Sequence, residues 1–317
     1  MTHTLPMQKI TPCLWFDNNC EEAVNFYTSV FPNSKIDSIK RYPEGMGGPM
    51  EGMGGKILTA VFTLDGLTFQ ALDGGPTFTM NPSLSFFVNF DPLHNPNAAS
   101  DIDAMWAKLT EGGKILMPLQ EYPFSKRYGW VQDRFGTSWQ LIFTDPAGEE
   151  RPRMIPSLLF TQRAAGHAEE ALNLYVSVFG GDSKVGQLAK YPAGMPHDKE
   201  GTLMFGEAKL AGQWLTAMDS AHTGHHFTFN EGGSLVIETA DQAETDAIWQ
   251  KLTAGGGQDS QCGWVKDKFG VSWQIVPKRM MELLSDPDQE KSNRALQAMM
   301  QMQKIDIAKL ESAFNGH

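Results

Sequence analysis

The sequence predicts an α+β chain of two tandem halves, each made of two βαβββ units, followed by a C-terminal helix. Three observations carry this reading. The stretch GWVQDRFGTSWQLI at 129–142 returns as GWVKDKFGVSWQIV at 263–276, with nine of the fourteen positions identical; matches of this length mark a duplication. Within each half, a short apolar strand, an amphipathic helix and further strands follow one another, and the order occurs twice. Beyond residue 278 an apolar-striped stretch has no counterpart after the first half.

Residues 10–16 (ITPCLWF) form the first strand, with Pro12 confining it to an edge or placing itself early in the strand. Asn18/Glu21 and Asn19/Glu22 have capping-box spacing and open a helix that stops before Pro32. Strands follow at 35–41, 56–64 and 67–72, the last two joined by Asp65-Gly66, a strong hairpin turn. The plan repeats with a strand at 84–90, a helix over 97–111 ending at Gly112-Gly113, a short strand at 115–117 and the 129–142 hairpin. In that hairpin's return strand, Trp139, Leu141 and Phe143 share one face and Ser138, Gln140 and Ile142 the other. One face is packed; the other is open to a cleft, where function must lie.

The second half copies the first: IPSLLF at 155–160, EEALNLYVSVFGGDSK at 169–184 and DAIWQKLTAGG at 246–256 each have a first-half match. The boundaries are 1–148 for the first domain, 153–278 for the second and 279–317 for a C-terminal helical extension, with the polar segment 145–153 as linker. Residues 294–314 read as one long helix whose stripe packs on the body or on a second subunit.

A formal net charge of −11 argues against nucleic acid and anionic membranes as partners, since both need clustered Lys and Arg. Three cysteines without a C-x-x-C indicate neither a disulfide framework nor a structural zinc site. The N-terminal residues lack a signal-peptide core, and no run of 18 or more apolar residues appears, so the expected location is cytoplasmic.

These motifs resemble the vicinal oxygen chelate superfamily, which includes glyoxalase I, bleomycin-resistance proteins and extradiol dioxygenases. TPCLWF-x4-EEAVNFY, the two GWVxDxFGxSWQ hairpins and MQKIDIAKLESAF at 302–314 are similar to its PhnB-like branch. Some sequences of that branch carry the label 3-demethylubiquinone 3-methyltransferase. No strand here is followed by the Gly-rich turn and helix that would hold S-adenosylmethionine. The resemblance implies two glyoxalase-like domains with a ligand cleft on inner strands. Metalloenzymes of the superfamily place His, Gln or Glu there. The corresponding positions are Thr11 and Ile155 in the first strands, and Gln140 and Gln274 in the last. Neutral amides in place of carboxylates point to an eroded metal set, so no cofactor and no catalytic metal is expected.

The cleft residues are then Thr11, Cys13, Trp15, Gln140, Gln274 and Ser157, the last being the Cys13 counterpart. Trp15 serves equally as an aromatic floor for a ligand or as packing between units. Gly47, Gly48, Gly54 and Gly55 belong to a glycine-rich loop that is either a lid or a plain hairpin connection. His222, His225 and His226 are the one histidine cluster; with Asp219 they offer an alternative metal site, against a solvated loop. Cys262 is a candidate thiol, or inert. Lys126, Arg127 and Tyr128 lie in a first-half insertion over the cleft, a place for specificity or a surface excursion. The leading expectation is a homodimer that binds a small-molecule ligand without metal. The alternatives are a divalent-metal lyase or oxygenase of the glyoxalase type, and a dimeric scaffold without catalysis.

Overall fold

The computed structural model describes residues 8–42, 52–145 and 150–317. The first unit runs β1 (Ile10–Phe16), α1 (Cys20–Val30), β2 (Lys35–Arg41), β3 (Ile57–Leu64) and β4 (Leu67–Asp73). The second runs β5 (Leu84–Phe90), α2 (Ala98–Thr110), β6 (Lys114–Tyr122), β7 (Ser125–Gln132) and β8 (Ser138–Phe143). The third is β9 (Met154–Thr161), α3 (Ala168–Phe179), β10 (Lys184–Lys190), β11 (Leu203–Leu210) and β12 (Gln213–Ser220). The fourth is β13 (Gly233–Thr239), α4 (Gln242–Thr253), β14 (Gln258–Asp259), β15 (Trp264–Lys266) and β16 (Ser272–Pro277). Helices α5 (Lys278–Leu284), α6 (Gln289–Met300) and α7 (Ile307–Asn315) follow. The α+β architecture of tandem βαβββ units is as the sequence predicts.

The two eight-stranded sheets do not follow the two halves of the chain. The first sheet has the order β14-β15-β16-β13-β1-β4-β3-β2 and joins unit four to unit one. The second, β10-β11-β12-β9-β5-β8-β7-β6, joins unit three to unit two. Each cleft therefore takes one wall from each half, rather than lying within a half. The seams are antiparallel, β1 on β13 and β5 on β9. Pro12 thus sits in a central strand, just before the β1–β4 ladder begins at Cys13, where its missing N–H costs that ladder nothing.

The helix-bearing faces share one core, which links the units the other way. Tyr27 of α1 lies edge-on to Trp139 of β8, centroids 5.4 Å apart, and Tyr175 of α3 lies 5.0 Å from Trp273 of β16. The repeated GWVxDxFGxSW motif is the anchor of this core. Asp267 Oδ1 accepts from the Phe269 and Val271 amides, and Oδ2 from the Trp273 indole and the Tyr175 hydroxyl. Asp133 holds the Phe135 and Thr137 amides and the Trp139 indole in the same way. Four units thus close into a ring, with sheet pairing and helical packing alternating as the joints.

Two local expectations are corrected. Asn19 makes no side-chain capping bond; the start of α1 is instead held by Asp73 at the end of β4, which accepts from the Asn18 and Cys20 amides. A carboxylate from outside the helix satisfies the orphan amides and ties helix to sheet at once. The long C-terminal helix is two helices. Between them the chain runs along the fourth unit, where the Cys262 and Gly263 amides donate to the Met302 and Gln303 carbonyls at 2.8 and 2.7 Å. Asp306 then caps α7 through the Lys309 amide. This crossing explains the missing insertion: Gly129 is packed by Leu119 of its own hairpin, while Gly263 is packed by Ile305 of the C-terminal lobe. The lobe takes the place of the hairpin that unit four lacks. Among the described residues no helix is long and apolar enough to cross a membrane.

Candidate functional site

The outer face of each sheet, turned away from the shared core, is where the sequence places its cleft residues. On the first sheet, Cα partners run in one line: Ser38, Val61, Gln70, Cys13, Ser234, Ser272 and Lys266. Cross-strand partners point to the same side, so this is a row of mostly polar groups across seven strands. A neighbouring row holds Thr11, Val236, Gln274 and Trp264, and another Trp15, Leu72, Thr59 and Lys40. The structure thus gathers Thr11, Cys13, Trp15 and Gln274 on one face.

Trp15 is fixed by its indole N–H, which donates to the Gly75 carbonyl at 2.8 Å, and by Phe78 edge-on at 5.0 Å. A Cβ on Gly74 would come within 2.1 Å of the indole, so glycine is required there. The ring remains half-buried and open to the cleft. Gln274 Nε2 donates to Ser234 Oγ at 2.9 Å, and the Cys13 thiol bonds to both side chains. Burial pushes the Cys13 thiol up to about 11, against those two hydrogen bonds. It is a neutral hydrogen-bonding group, not a nucleophile. Native protein treated with an aromatic disulfide reagent at about pH 8 is expected to lose only Cys262, which is half-buried. Buried Cys13 and Cys20 should react only after unfolding; labelling of Cys13 as fast as Cys262 would contradict the geometry.

Among the described residues, one buried side-chain polar atom on this face has no partner. Ser272 is 1% exposed and its Oγ makes no hydrogen bond. It lines a cavity of about 110 Å³ with Trp264, Gln258, Ser260 and the Lys266–Glu231 ion pair. The C-terminal lobe borders the same face: Val276 packs against it, and Ser285 at the end of α5 accepts from Lys40 of β2 at 3.2 Å. The lobe so reaches from β16 to the opposite edge of the sheet.

The equivalent face of the second sheet is filled by the protein itself. Ser138, the counterpart of Ser272, accepts from the Trp130 indole at 2.7 Å. Gln140 is fully buried; its Oε1 accepts from Tyr128 at 2.5 Å and its Nε2 donates to Ser85 at 2.8 Å. Phe87, Tyr128, Ile155 and Trp214 form a buried cluster there. The linker adds Arg151, stacked 3.8 Å over Trp214 and forked onto Glu207. Ser157 is enclosed, its Oγ without a partner. Gln140 and Ser157 therefore lie together, apart from the other four cleft residues. The insertion with Tyr128 is a β6–β7 hairpin that plugs its own cleft, while Arg127 turns out to Asp103. Nothing in the residue types of the insertion or linker announces this; the signal is only that each holds a large side chain beside a cleft.

Of the lid glycines, Gly47 and Gly48 lie outside the described residues. Gly54 and Gly55 form a turn tied back to β2, with the Gly55 amide donating to Tyr42 and its carbonyl accepting from Arg41. His222 stands 4.7 Å from His197 and 5.6 Å from His225 between ring centroids, but its Nδ1 accepts from the Gly224 amide and His225 Nε2 meets Ser220. His226 is exposed. Asp219 does not join them: it accepts from the Gly166 and Ala168 amides at the start of α3 and from the Leu203 amide at the start of β11. Among the described residues no three His, Cys, Asp or Glu side chains converge on one point.

A family model described as 3-demethylubiquinone-9 3-methyltransferase matches residues 8–142 and again 152–276. A solved PhnB protein from Bacillus cereus, described as a putative 3-demethylubiquinone-9 3-methyltransferase, is 44% identical, covering 43% of this chain and 100% of its own, with a TM-score of 0.39. The chain belongs to this PhnB-like family. Glyoxalase I from Zea mays is 13% identical over 84% of this chain and 93% of its own, with a TM-score of 0.53, a likeness of fold alone. No curated protein matches.

In this PhnB-like chain the positions the superfamily uses for metal do not fit a catalytic divalent ion. Ile155 offers no donor atom, both ends of Gln140 are spent on Tyr128 and Ser85, and the Gln274 amide is bound to Ser234. Thr11 Oγ1 accepts from Gln8. Hydroxyl and amide groups tied to one another are weak ligands beside carboxylate and imidazole.

Proposed function

We propose that this PhnB-like protein binds a small, uncharged organic molecule on the outer face of the first sheet, without a catalytic metal, and that the second sheet is its self-filled structural partner. The observation that carries the reading is the contrast between Ser272 and Ser138. The same position is satisfied by an indole in one sheet and left buried without a partner beside a cavity in the other. A buried hydroxyl without a partner is costly, and a ligand polar group would relieve that cost. Gln70, Cys13, Ser234 and Gln274 supply neutral donors and acceptors, and Trp15 and Trp264 supply apolar walls; Lys266 is already neutralised by Glu231. A few placed polar groups among aromatic side chains is the pattern of small-molecule sites.

Methyl transfer, which the family description names, is no part of this reading. The strand-to-helix connections after β1, β5, β9 and β13 contain a single glycine, Gly166, and none forms the Gly-rich turn a nucleotide-like cofactor needs.

Titration of a panel of neutral aromatic amides and carbonyl compounds, read by tryptophan fluorescence, tests the proposal. Gln274→Ala is expected to weaken any hit by about tenfold, the loss of one or two buried hydrogen bonds. Silence across the panel, or a stoichiometric metal ion in the purified protein that Gln274→Ala releases, would sink it.

A further inference from the structure

A second and larger cavity, about 290 Å³, opens at the start of α3, against the turn joining β15 to β16. It touches Gln258 and Lys266, which also line the small cavity by Ser272, but the rest of its wall is different: Arg163, His167, Glu170, Lys268 and Phe269. The two halves of the chain differ here. Three residues separate Phe16 from Cys20, whereas seven separate Phe160 from Ala168. The additional residues form a 3-10 turn over Gln162–Ala164 that carries Arg163. In the first half the guanidinium of Arg134 lies over Phe26 at 4.2 Å and Phe135 at 4.7 Å. Its counterpart Lys268 pairs with Glu170, as Arg134 does with Glu22 at 3.8 Å, and lies over Phe269 at 5.1 Å.

The charges on the wall decide what it can hold. Glu170 is engaged by Lys268 and His167, and both oxygens of Asp267 are taken by the turn amides, Trp273 and Tyr175. Lys266 is paired with Glu231. Among the described residues, Arg163 alone of these cations makes no hydrogen bond or ion pair. The Gly270 position, where a Cβ would lie 3.7 Å from Arg163 Nη2, is bare. An unspent guanidinium fork at a cavity is suited to an oxyanion, and in a chain of net charge −11 such a spot is the exception.

We propose that this cavity, which meets the outer-face site only at Gln258 and Lys266, is a second binding site, for a small phosphate-bearing organic molecule. Arg163 holds the phosphate oxygens, and the carbon part lies against Phe269 and His167, whose rings are 5.9 Å apart. The volume is several times that of a phosphate group alone, close to the lower range of ligand pockets.

Calorimetric titration of the full chain with inorganic phosphate and with phenyl phosphate tests this. Phenyl phosphate is expected to bind with a Kd of roughly 1 mM or below, and at least about tenfold more tightly than inorganic phosphate. Arg163→Ala, an exposed position that should fold normally, is expected to weaken phenyl phosphate by about tenfold or more. The same variant should leave tryptophan quenching by neutral ligands unchanged. Absence of phenyl phosphate binding, indifference to Arg163→Ala, or equal affinity for the two probes overturns the proposal.

Discussion

Replacing Asp267 by alanine is expected to lower the folding free energy by about 3–5 kcal/mol, read as a fall in the urea midpoint. The side chain is 3% exposed and accepts four hydrogen bonds. Its loss strands two turn amides, an indole N–H and a phenol in the core between units three and four. Asp267→Asn should be little better. An amide nitrogen in place of Oδ2 would confront the Trp273 indole, which can only donate. The counterpart Asp133 adds a pH signature. Burial pushes its carboxyl up to about 6, against the pull of the Trp139 indole and the turn amides. A folded value above the ordinary one means the folded chain holds the proton more firmly. That contribution is full below the usual 3.8 and is lost as pH rises through about 6. The advantage of wild type over Asp133→Asn should therefore shrink across that window; an advantage that grows would contradict the burial.

The same aspartates explain what could be read from the chain in advance. The motif repeats because the carboxylate, the turn and the indole form one unit, and each part is local in sequence, so the hairpin and the period-two alternation placing Cys13, Trp15 and Gln274 on the outer face were legible. Which unit pairs with which was not. All four units carry similar seam strands, and the β1–β13 and β5–β9 pairs are chosen by how the helices pack across Trp139 and Trp273, contacts far apart in sequence. The inequality of the two clefts was equally hidden. Gln140 and Gln274 occupy matching positions, yet their surroundings are set by a hairpin that one unit has and by a C-terminal lobe that replaces it in the other. A helical stripe likewise continued through residues 301–306, where the chain leaves the helix to pair with Cys262 and Gly263.

Arg151→Ala is the second substitution with a large expected effect, about 3–5 kcal/mol of stability. Arg151 comes from the linker, and its fork meets Glu207 at 2.6 and 3.0 Å while its plane covers Trp214. Glu207 is 4% exposed and, among the described residues, keeps only the Gln187 amide as a donor to its Oε1 once the guanidinium is gone. An uncompensated carboxylate on a buried face costs far more than the pair itself contributes. Arg151→Lys should recover only part of the loss, because an ammonium can neither fork nor stack. The diagnostic variant is the double one: with Glu207→Gln in the background, Arg151→Ala should cost at least about 2 kcal/mol less than it does alone. Additive costs would mean that the linker merely lies beside the second sheet. A strong coupling would mean that it is part of the sheet's filling, and that the chain keeps one outer face, with Ser157, closed by its own residues while on the other the unpartnered hydroxyl of Ser272 lies beside a cavity.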